Sequence, residues 1–492
     1  MKPYRLIYQM DSSGVLPAAT DVDDYLKGII GFLEDSHIDC LFWHDGAGGN
    51  TANYDSDVLE LTGERIGGVD PSLLRLIEEG DDPPKIVVPA AKEQGVDIFY
   101  SLRLNDCHDS FGHERLRPTF KVEHPEWSIG AGHPEVHPSV HRNLNFAVPE
   151  VRDLKFAVIE EIFRKYDFDG LEIDFLRSPP YFIPSEAPKN AHLLTQFLSR
   201  VREHLNQRGK ERGRQIPLAV RVNPTLEACR LDGFDIPTWV EQRLVDSLSL
   251  GSGNIDCDVE VFKNLTDGTG ILIYPCVYGW PSGYNIIFGF EDSEPMLRAL
   301  ASNYWYQGAD GIYTFNWNAH SYVHRPDKNS QFAPQRQLLR EMDSPQAMQG
   351  KDKLYVADRL LGEKPMLPHN WLHATLPQTL ERGEQVEVPV LVGEDFTASP
   401  RSRAIWLSVT YSDLAETSQI EFTLNEGPLS EFEPTDPWLP PDNTDGTSQQ
   451  EQVHALRQEI STDLLIQGQN HVGVSVITGE VSVKGVEIHV LY

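Results

Sequence analysis

The stretch Tyr166-Asp-Phe-Asp-Gly-Leu-Glu-Ile-Asp-Phe-Leu-Arg177 decides the fold of this chain. Read with the two-residue period of a β-strand, Leu171 and Ile173 point to one face, and Glu172 and Asp174 point to the other. An ordinary core strand does not carry two neighbouring carboxylates, because unpaired buried charge is costly. The pattern therefore indicates a strand of a parallel barrel whose inward face ends at an active-site mouth.

Arg177 follows this strand at the junction with the next loop. There it can anchor a carboxylate or meet a polar ligand. The alternative is an internal salt-bridge network in which Arg177 pairs with Glu172 or Asp174. The sequence leaves both interpretations open, and we carry the functional one forward.

Length and composition limit the class of protein. The chain has 492 residues, which favours two domains, and a formal net charge of -32, which argues against nucleic acid and anionic membranes as partners. The N-terminus lacks the apolar segment of a signal peptide, and no run is long enough to span a membrane. The five cysteines are scattered, as in a reduced cytoplasmic protein, although a processed secreted form remains an alternative. The oligomeric state cannot be read from the sequence.

Strand-like and helix-like segments alternate over the first part of the chain, and polar or aromatic residues follow each strand. Eight such units close into a barrel. We predict an α/β fold with a (β/α)8 TIM barrel over residues 1–348. The predicted strands are Arg5–Met10, Ile38–Trp43, Asp97–Leu104, Phe168–Leu176, Ile216–Val222, Leu244–Leu250, Gly270–Val277 and Asp310–Phe315.

After about residue 350 the pattern changes to short alternating segments separated by Pro, Gly and Asp. Strands without intervening helices indicate a β-sandwich, which we predict to be jelly-roll-like over residues 349–492. Its predicted strands are Gln385–Val392, Ala404–Tyr411, Gln419–Leu424, Asp463–Leu465, His471–Ile477 and Val481–Tyr492.

The residues at the strand ends combine carboxylates, hydrogen-bonding side chains and aromatic rings. This is the combination that a carbohydrate site needs, since sugars present hydroxyl edges and apolar ring faces. The predicted substrate-binding residues are Asp45, His44, Arg103, Asn105, His108, Asp109, Arg177, Arg221, Asn223, Tyr278, Trp280, Asn316 and Trp317.

Glycoside cleavage requires two carboxyl groups across the scissile bond. Asp174 is the first predicted catalytic carboxyl, and Glu172 lies one pleat deeper in the barrel. The second carboxyl stays open, with Asp106 preferred. The other candidates for it are Asp109, Asp45, Asp256 and Asp258.

Three arginines at the predicted mouth (Arg103, Arg177 and Arg221) suit an acidic or sulfated glycan, because guanidinium groups bind such anions through paired hydrogen bonds. Alternatively, they neutralise the carboxylates of the mouth. His44, Asp45, His108 and Asp109 have the chemistry of metal ligands, but hydrogen bonding to sugar hydroxyls explains the same residues. We therefore predict neither a metal site nor a cofactor.

The segment Asp169-Gly-Leu-Glu-Ile-Asp174-Phe-Leu-Arg177-Ser-Pro179 resembles the fourth-strand DG-x-x-x-D-x-x-R-x-P pattern of bacterial glycoside-hydrolase-like barrel proteins. His124–Trp127 and Leu144–Pro149 resemble segments of the same group. The resemblance implies a sugar-active barrel. The strand also resembles the motif of family 18 chitinases, but Leu176 stands where their catalytic Glu would be, so chitinase-type catalysis is not carried over.

These observations together predict a glycoside hydrolase that cleaves an oligo- or polysaccharide by paired-carboxylate chemistry. The alternative is a non-catalytic carbohydrate-binding barrel protein. The glycan, its linkage and the stereochemical outcome are not predictable from the sequence.

Overall fold

The structure is a computed structural model of the 492-residue chain. It describes residues 1–130, 132–278, 294–317, 335–360, 369, 372–398, 401–412, 418–437 and 453–492. Trp280, one of the predicted substrate-binding residues, lies outside the described residues.

The N-terminal part is a closed barrel of eight parallel strands in sequence order. This confirms the predicted fold class, with each strand within three residues of the predicted bounds. The strands are β1 Leu6–Asp11, β2 Cys40–His44, β3 Asp97–Arg103, β4 Gly170–Asp174, β5 Leu218–Val222, β6 Ser247–Leu250, β7 Leu272–Tyr278 and β8 Ile312–Phe315.

Helices surround the barrel. They are α1 Val15–Ala18, α2 Val22–Ile30, α3 Pro71–Glu79, α4 Pro83–Glu93, α5 Thr119–Glu123, α6 Pro149–Lys165, α7 Ala187–Arg212, α8 Leu226–Leu231, α9 Ile236–Glu241, α10 Val259–Thr266 and α11 Glu294–Tyr306. Helix α6 begins at Pro149, whose fixed φ suits a first helical position. Helices α3 and α4 were missed, although Asp70-Pro71 and Asp82-Pro83 are typical helix starts.

The lower half of the barrel interior is aromatic. Phe42 and Phe99 stack with ring centroids 4.9 Å apart, and Phe42 also meets Tyr313. Gly170 makes room for this layer, because a Cβ at that position would lie 2.4 Å from the Phe99 ring. The glycine of the fourth-strand motif is therefore required by packing. The polar residues of β4 lie above this layer, towards the C-terminal mouth.

Two antiparallel sheets follow the barrel. One has the order β10-β18-β12-β16-β15, with β9 also paired to β18, and the other has the order β11-β17-β13-β14. The strands are β9 Lys353–Val356, β10 Gln378–Glu381, β11 Gln385–Val392, β12 Ala404–Ser412, β13 Gln419–Leu424, β14 Gly427–Leu429, β15 Glu433–Thr435, β16 His454–Glu459, β17 Gly468–Thr478 and β18 Glu480–Leu491.

The sandwich prediction is confirmed, but the strand predicted at Asp463–Leu465 was wrong. Residues Thr462–Leu464 form a 3-10 turn in which the Leu465 N–H donates to the Thr462 carbonyl at 3.1 Å. Three alternating residues are too few to distinguish a strand from a turn that satisfies its own backbone. The position of the boundary near residue 348 stays a prediction.

Helix α11 joins the barrel to the sandwich. The Asn303 side chain donates to the Leu391 carbonyl at 3.0 Å and accepts from the Gly393 N–H at 2.7 Å. A Cβ at Gly393 would lie 2.5 Å from the Ser302 carbonyl oxygen, so the two backbones approach as closely as glycine allows. Ala299 of the same helix packs into the core of the sandwich. The two regions thus share one helix.

No disulfide joins the five cysteines, all of which are described and buried. Within the described ranges, none of the helices combines the length and the apolar character that crossing a membrane requires. The cellular compartment stays a prediction.

Candidate active site

A buried ion pair lies at the C-terminal ends of β4 and β5. Arg221 donates from Nε to Asp174 Oδ1 at 2.8 Å and from Nη2 to Asp174 Oδ2 at 3.0 Å. The two residues are register partners on adjacent parallel strands. Burial alone would lower the pKa of Arg221, but the Asp174 charge raises it above its usual range. Asp174 is therefore paired with Arg221, and Arg177 lies elsewhere.

The surroundings hold this ion pair rigidly. The Leu176 N–H donates to Asp174 Oδ1 at 2.9 Å, and the Arg221 guanidinium lies 3.6 Å from the centroid of the Phe315 ring. Arg221 Nη1 also donates to Ser252 Oγ at 3.3 Å. Asp174 is 1% exposed. Three hydrogen bonds, one from Leu176 and two from Arg221, thus orient the carboxylate, as a charge-stabilising group in a site must be.

Glu172 lies one pleat below Asp174, as predicted from the strand period. Tyr313 donates its hydroxyl to Glu172 Oε1 at 2.8 Å, and Oε2 has no hydrogen-bond partner among the described residues. Burial and the charge of Asp174 raise the pKa of Glu172 to about 7. Glu172 therefore holds its proton at a pH where an ordinary carboxyl group has lost it.

Arg103 is the centre of the mouth. Its Nη2 donates to Asp11 Oδ2 at 2.5 Å, and it interacts electrostatically with Asp106 and Asp174 as well. Burial opposes the charge of Asp11, but Arg103 and His44 lower its pKa below the usual range. The predicted site set did not include Asp11. The sequence did place Asp11 at the end of the first strand, among the polar residues of the predicted mouth.

Asp106, His108 and Arg177 form a hydrogen-bonded chain. Asp106 accepts from His108 Nδ1 at 2.8 Å, and Arg177 Nη2 donates to His108 Nε2 at 2.6 Å, which places the proton of a neutral ring on Nδ1. Burial opposes the charge of Asp106, but the hydrogen bond from His108 and the charges of Arg177 and Arg103 lower its pKa below the usual range. Asp106 is therefore a carboxylate, with a partly exposed imidazole in front of it.

The glycine-rich loop after β2 packs against Asp106 and the end of β3. A Cβ at Gly48 would lie 2.9 Å from the Asp106 carboxyl carbon, and one at Gly49 would lie 2.1 Å from the Arg103 carbonyl oxygen. Both glycines have positive φ. The glycines are thus explained by close approach to the end of β3.

His44 and Asp45 are buried and organise the same loop. His44 Nδ1 lies 3.1 Å from the Ser101 carbonyl, and burial together with Arg103 lowers the pKa of His44. Asp45 accepts from the N–H groups of Ala47 and Asn53, each at 3.0 Å. Their predicted substrate contacts therefore remain predictions, and their present contacts are internal.

Three further predicted residues hold loops of the mouth. The Asn105 side chain donates to the Leu144 carbonyl and accepts from the Leu144 N–H. Asp109 accepts a hydrogen bond from Lys121 Nζ at 3.3 Å. Asn223 donates a hydrogen bond to Asp232 at 2.7 Å. All three side chains are buried. They position the long loop after β3 and the loop after β5.

The aromatic side of the mouth consists of Tyr278 and its neighbours. The Tyr278 ring stacks on Phe315 with centroids 5.6 Å apart, and Asn316 donates to the Tyr278 hydroxyl at 2.8 Å. Trp317 is 1% exposed and donates Nε1 to the Val277 carbonyl at 2.9 Å. The Trp317 ring is thus part of the core, and we do not assign it to a ligand.

The structure separates the candidates for the second carboxyl. Asp106 interacts electrostatically with Arg103, as Asp174 does, whereas Asp256 and Asp258 interact with His373 of the C-terminal region. Burial raises the pKa of Asp256 to about 6. In the part of the chain that the structure describes, no three His, Cys, Asp or Glu side chains are grouped to hold a metal ion.

No protein-family model matches the chain, and no curated protein matches it in sequence. Its fold is similar to solved glycoside hydrolases. An α-L-fucosidase isoenzyme 2 from Paenibacillus thiaminolyticus is 14% identical, with a TM-score of 0.44, over 68% of this chain and 48% of that one. This chain thus spans about half the length of the fucosidase.

Two more solved structures are similar over 99% of their own length. The PgaB (BpsB) glycoside hydrolase domain from Bordetella bronchiseptica is 11% identical over 70% of this chain, with a TM-score of 0.44. A glycoside hydrolase family 18 N-acetylglucosaminidase from Paenibacillus barengoltzii is 13% identical over 68% of this chain, with a TM-score of 0.36. These similarities concern the barrel fold alone.

Proposed function

We propose that this protein is a glycoside hydrolase that acts at the C-terminal mouth of its barrel. One observation carries the proposal: three carboxylates from different strand ends, Asp11, Asp106 and Asp174, surround the buried Arg103. Glycoside cleavage proceeds through a positively charged sugar, which fixed carboxylates stabilise. A purely structural barrel needs no such concentration of charge at its mouth.

Asp174 is the group that faces the developing charge at C1. The buried Asp174 carboxylate is paired with the Arg221 guanidinium, which compensates its charge. Asp174 Oδ1 accepts two hydrogen bonds, whereas Oδ2 accepts only that of Arg221 among the described residues. The second lone pair of Oδ2 supplies the stabilising or attacking electrons.

The proton is carried by the pair of Asp106 and His108. Asp106 itself suits a general acid poorly, because its pKa lies below the usual range. The His108 side chain is 28% exposed, and its Nδ1 rests on Asp106. Once Arg177 moves away from Nε2, His108 takes up a proton from solvent at that nitrogen, and Asp106 stabilises the charged ring. The ring then gives this proton to the glycosidic oxygen as the bond from that oxygen to C1 breaks, and it returns to the neutral form with its proton on Nδ1.

The substrate is an uncharged glycan. Arg103 and Arg221 are occupied by Asp11 and Asp174, which supports the counter-ion alternative for two of the three arginines. Arg177 contacts His108. Of the three arginines that suggested an acidic or sulfated glycan, only Arg177 is not paired with a carboxylate in these contacts. A single guanidinium is weak support for an anionic substrate, so we propose an uncharged one.

A non-catalytic carbohydrate-binding protein is the second candidate. The burial of Asp174 and its two hydrogen bonds from Arg221 favour it, since the same geometry serves to stabilise the end of the barrel. The two candidates differ in a measurable way, because only the hydrolase loses turnover when the proton carrier is removed.

The test is release of reducing ends from a panel of neutral and acidic glycans by the parent and by His108→Gln and Asp174→Asn. We expect turnover to fall by about 10²–10⁴-fold in each variant, the usual contribution of an acid–base group. Asp153→Asn, on the exposed face of α6, is the matched control. Thermal unfolding of each variant separates lost chemistry from lost fold.

Hydrolysis by the parent together with near-parental turnover of His108→Gln would remove the acid–base assignment. Binding of a glycan without release of reducing ends would favour the non-catalytic candidate.

A further inference from the structure

A cavity of about 500 Å³ lies beside the mouth, on the side of β1, β2 and β3. The loops that follow these three strands form its walls, and α2 and α3 contribute to its floor. Its volume is within the range of about 300–1,000 Å³ that ligand pockets occupy. Asp45, a predicted substrate-binding residue, lines this cavity, whereas Asp174, Asp106 and His108, to which the proposed chemistry is assigned, do not.

Hydrogen bonds and close packing fix the walls of the cavity. Ser12 donates its hydroxyl to the His44 carbonyl at 2.6 Å, and the Gly63 N–H donates to the Arg115 carbonyl at 2.9 Å. A Cβ at Gly46 would lie 2.7 Å from the Ser13 nitrogen, so the loops after β1 and β2 touch. The cavity is therefore preformed, which lowers the entropic cost of binding.

The lining combines an apolar floor with a polar rim. Leu16, Tyr25 and Leu73 contribute apolar surface, and Ser13, Thr62 and Arg115 contribute hydrogen-bonding groups. A pyranose ring offers the same combination, with C–H faces and a hydroxyl edge. Asp45, Asp70 and Glu114 also line the cavity, so it does not favour an anion.

Asp11 connects the cavity to the mouth. Its Oδ1 accepts from the Ser13 N–H on the cavity wall at 3.0 Å, and its Oδ2 receives Arg103 Nη2. A chain bound over Arg103 would thus reach the cavity directly beyond Asp11. We propose that this cavity binds further uncharged sugar units of an oligosaccharide whose reacting unit lies at Asp174. The inference rests on the proposed function and makes the substrate an oligomer.

The test measures the dissociation constants of malto-, cello- and chito-oligosaccharides of one to five units by isothermal titration calorimetry. The titrations are run at low temperature, so that hydrolysis is slow during the measurement. We expect at least one series to bind about tenfold more tightly as the chain grows beyond one unit, equivalent to about 1.4 kcal/mol. Ser13→Trp places an indole at the cavity rim from an exposed position and should abolish that gain. Ser199→Trp, exposed on α7, is the matched control.

Ile66→Ala provides a second probe, because Ile66 also lines the cavity and is 49% exposed. Its control is Ile466→Ala in the C-terminal region, where Ile466 is 52% exposed. We expect Ile66→Ala to reduce the gain with chain length several-fold. Affinity that is independent of length in every series, binding of none of these oligomers, or a gain unchanged in Ser13→Trp, would overturn the inference.

Failure of the hydrolase proposal gives a different result. Length-dependent binding without release of reducing ends retains the cavity and overturns only the catalytic assignment. Hydrolysis with an affinity that is independent of chain length retains the catalytic assignment and overturns the cavity inference.

Discussion

Removal of the Arg221 side chain is the sharpest test of the charge arrangement at the mouth. Arg221→Met keeps much of the side-chain volume but leaves Asp174 as a buried charge without its partner. Both side chains are 1% exposed, and two hydrogen bonds join them. Loss of one member of such a pair costs about 3–5 kcal/mol. Two hydrogen bonds to a charged group, at about 1.5–3 kcal/mol each, give a similar sum.

The assay is urea unfolding of the parent, Arg221→Met, Asp174→Asn and the double variant, followed by tryptophan fluorescence. We expect the double variant to be more stable than Arg221→Met, because Asn removes the stranded charge. Arg230→Met, which breaks an exposed pair with Glu227, should leave the midpoint nearly unchanged. The reasoning would be refuted if the unfolding free energy of Arg221→Met lay within about 1 kcal/mol of that of the parent. It would also be refuted if the double variant were no more stable than Arg221→Met.

Two predictions concern pH. Because the pKa of Glu172 is raised from 4.5 to about 7, the folded state binds more protons there, so this group's stabilisation is complete below pH 4.5 and is lost as pH rises through about 7. The difference in unfolding free energy between parent and Glu172→Gln should change by about 3 kcal/mol across that window, and a constant difference would contradict the assignment. Burial and Lys121 lower the pKa of Lys155 from 10.5 to about 7, so the parent should gain stability between pH 7 and 10.5. Lys155→Met should lack this gain in the same urea titrations, and a parallel pH profile would show that Lys155 does not carry it.

The barrel was predictable from the sequence because its signals are local. The two-residue period of β4 correctly placed Glu172 and Asp174 on the inward face, and the polar residues after each strand marked the mouth. Element bounds were off by a few residues, since hydrogen bonding to a neighbouring strand decides where a strand ends.

The partners of the charged residues were not predictable in the same way. Asp174 pairs with Arg221, 47 residues away, because the register of β4 and β5 places them side by side. The sequence offered Arg177 as an equally good partner, and the structure assigns that side chain to His108. Trp317 shows the same limit, since nothing local distinguishes a core tryptophan from a sugar platform. The cavity beside the mouth is built from three separate loops and has no sequence motif.

The shared helix α11 has a practical consequence. The sandwich is not a detachable module, because Ala299 and Asn303 of a barrel helix complete its core and its edge. A truncation that stops before β9 would expose the face of α11 on which β9 and β11 pack. Since α11 connects β7 to β8, such a truncation would weaken the strand that closes the barrel. Engineering that exchanges the accessory region for another must therefore carry the outer face of α11 with it.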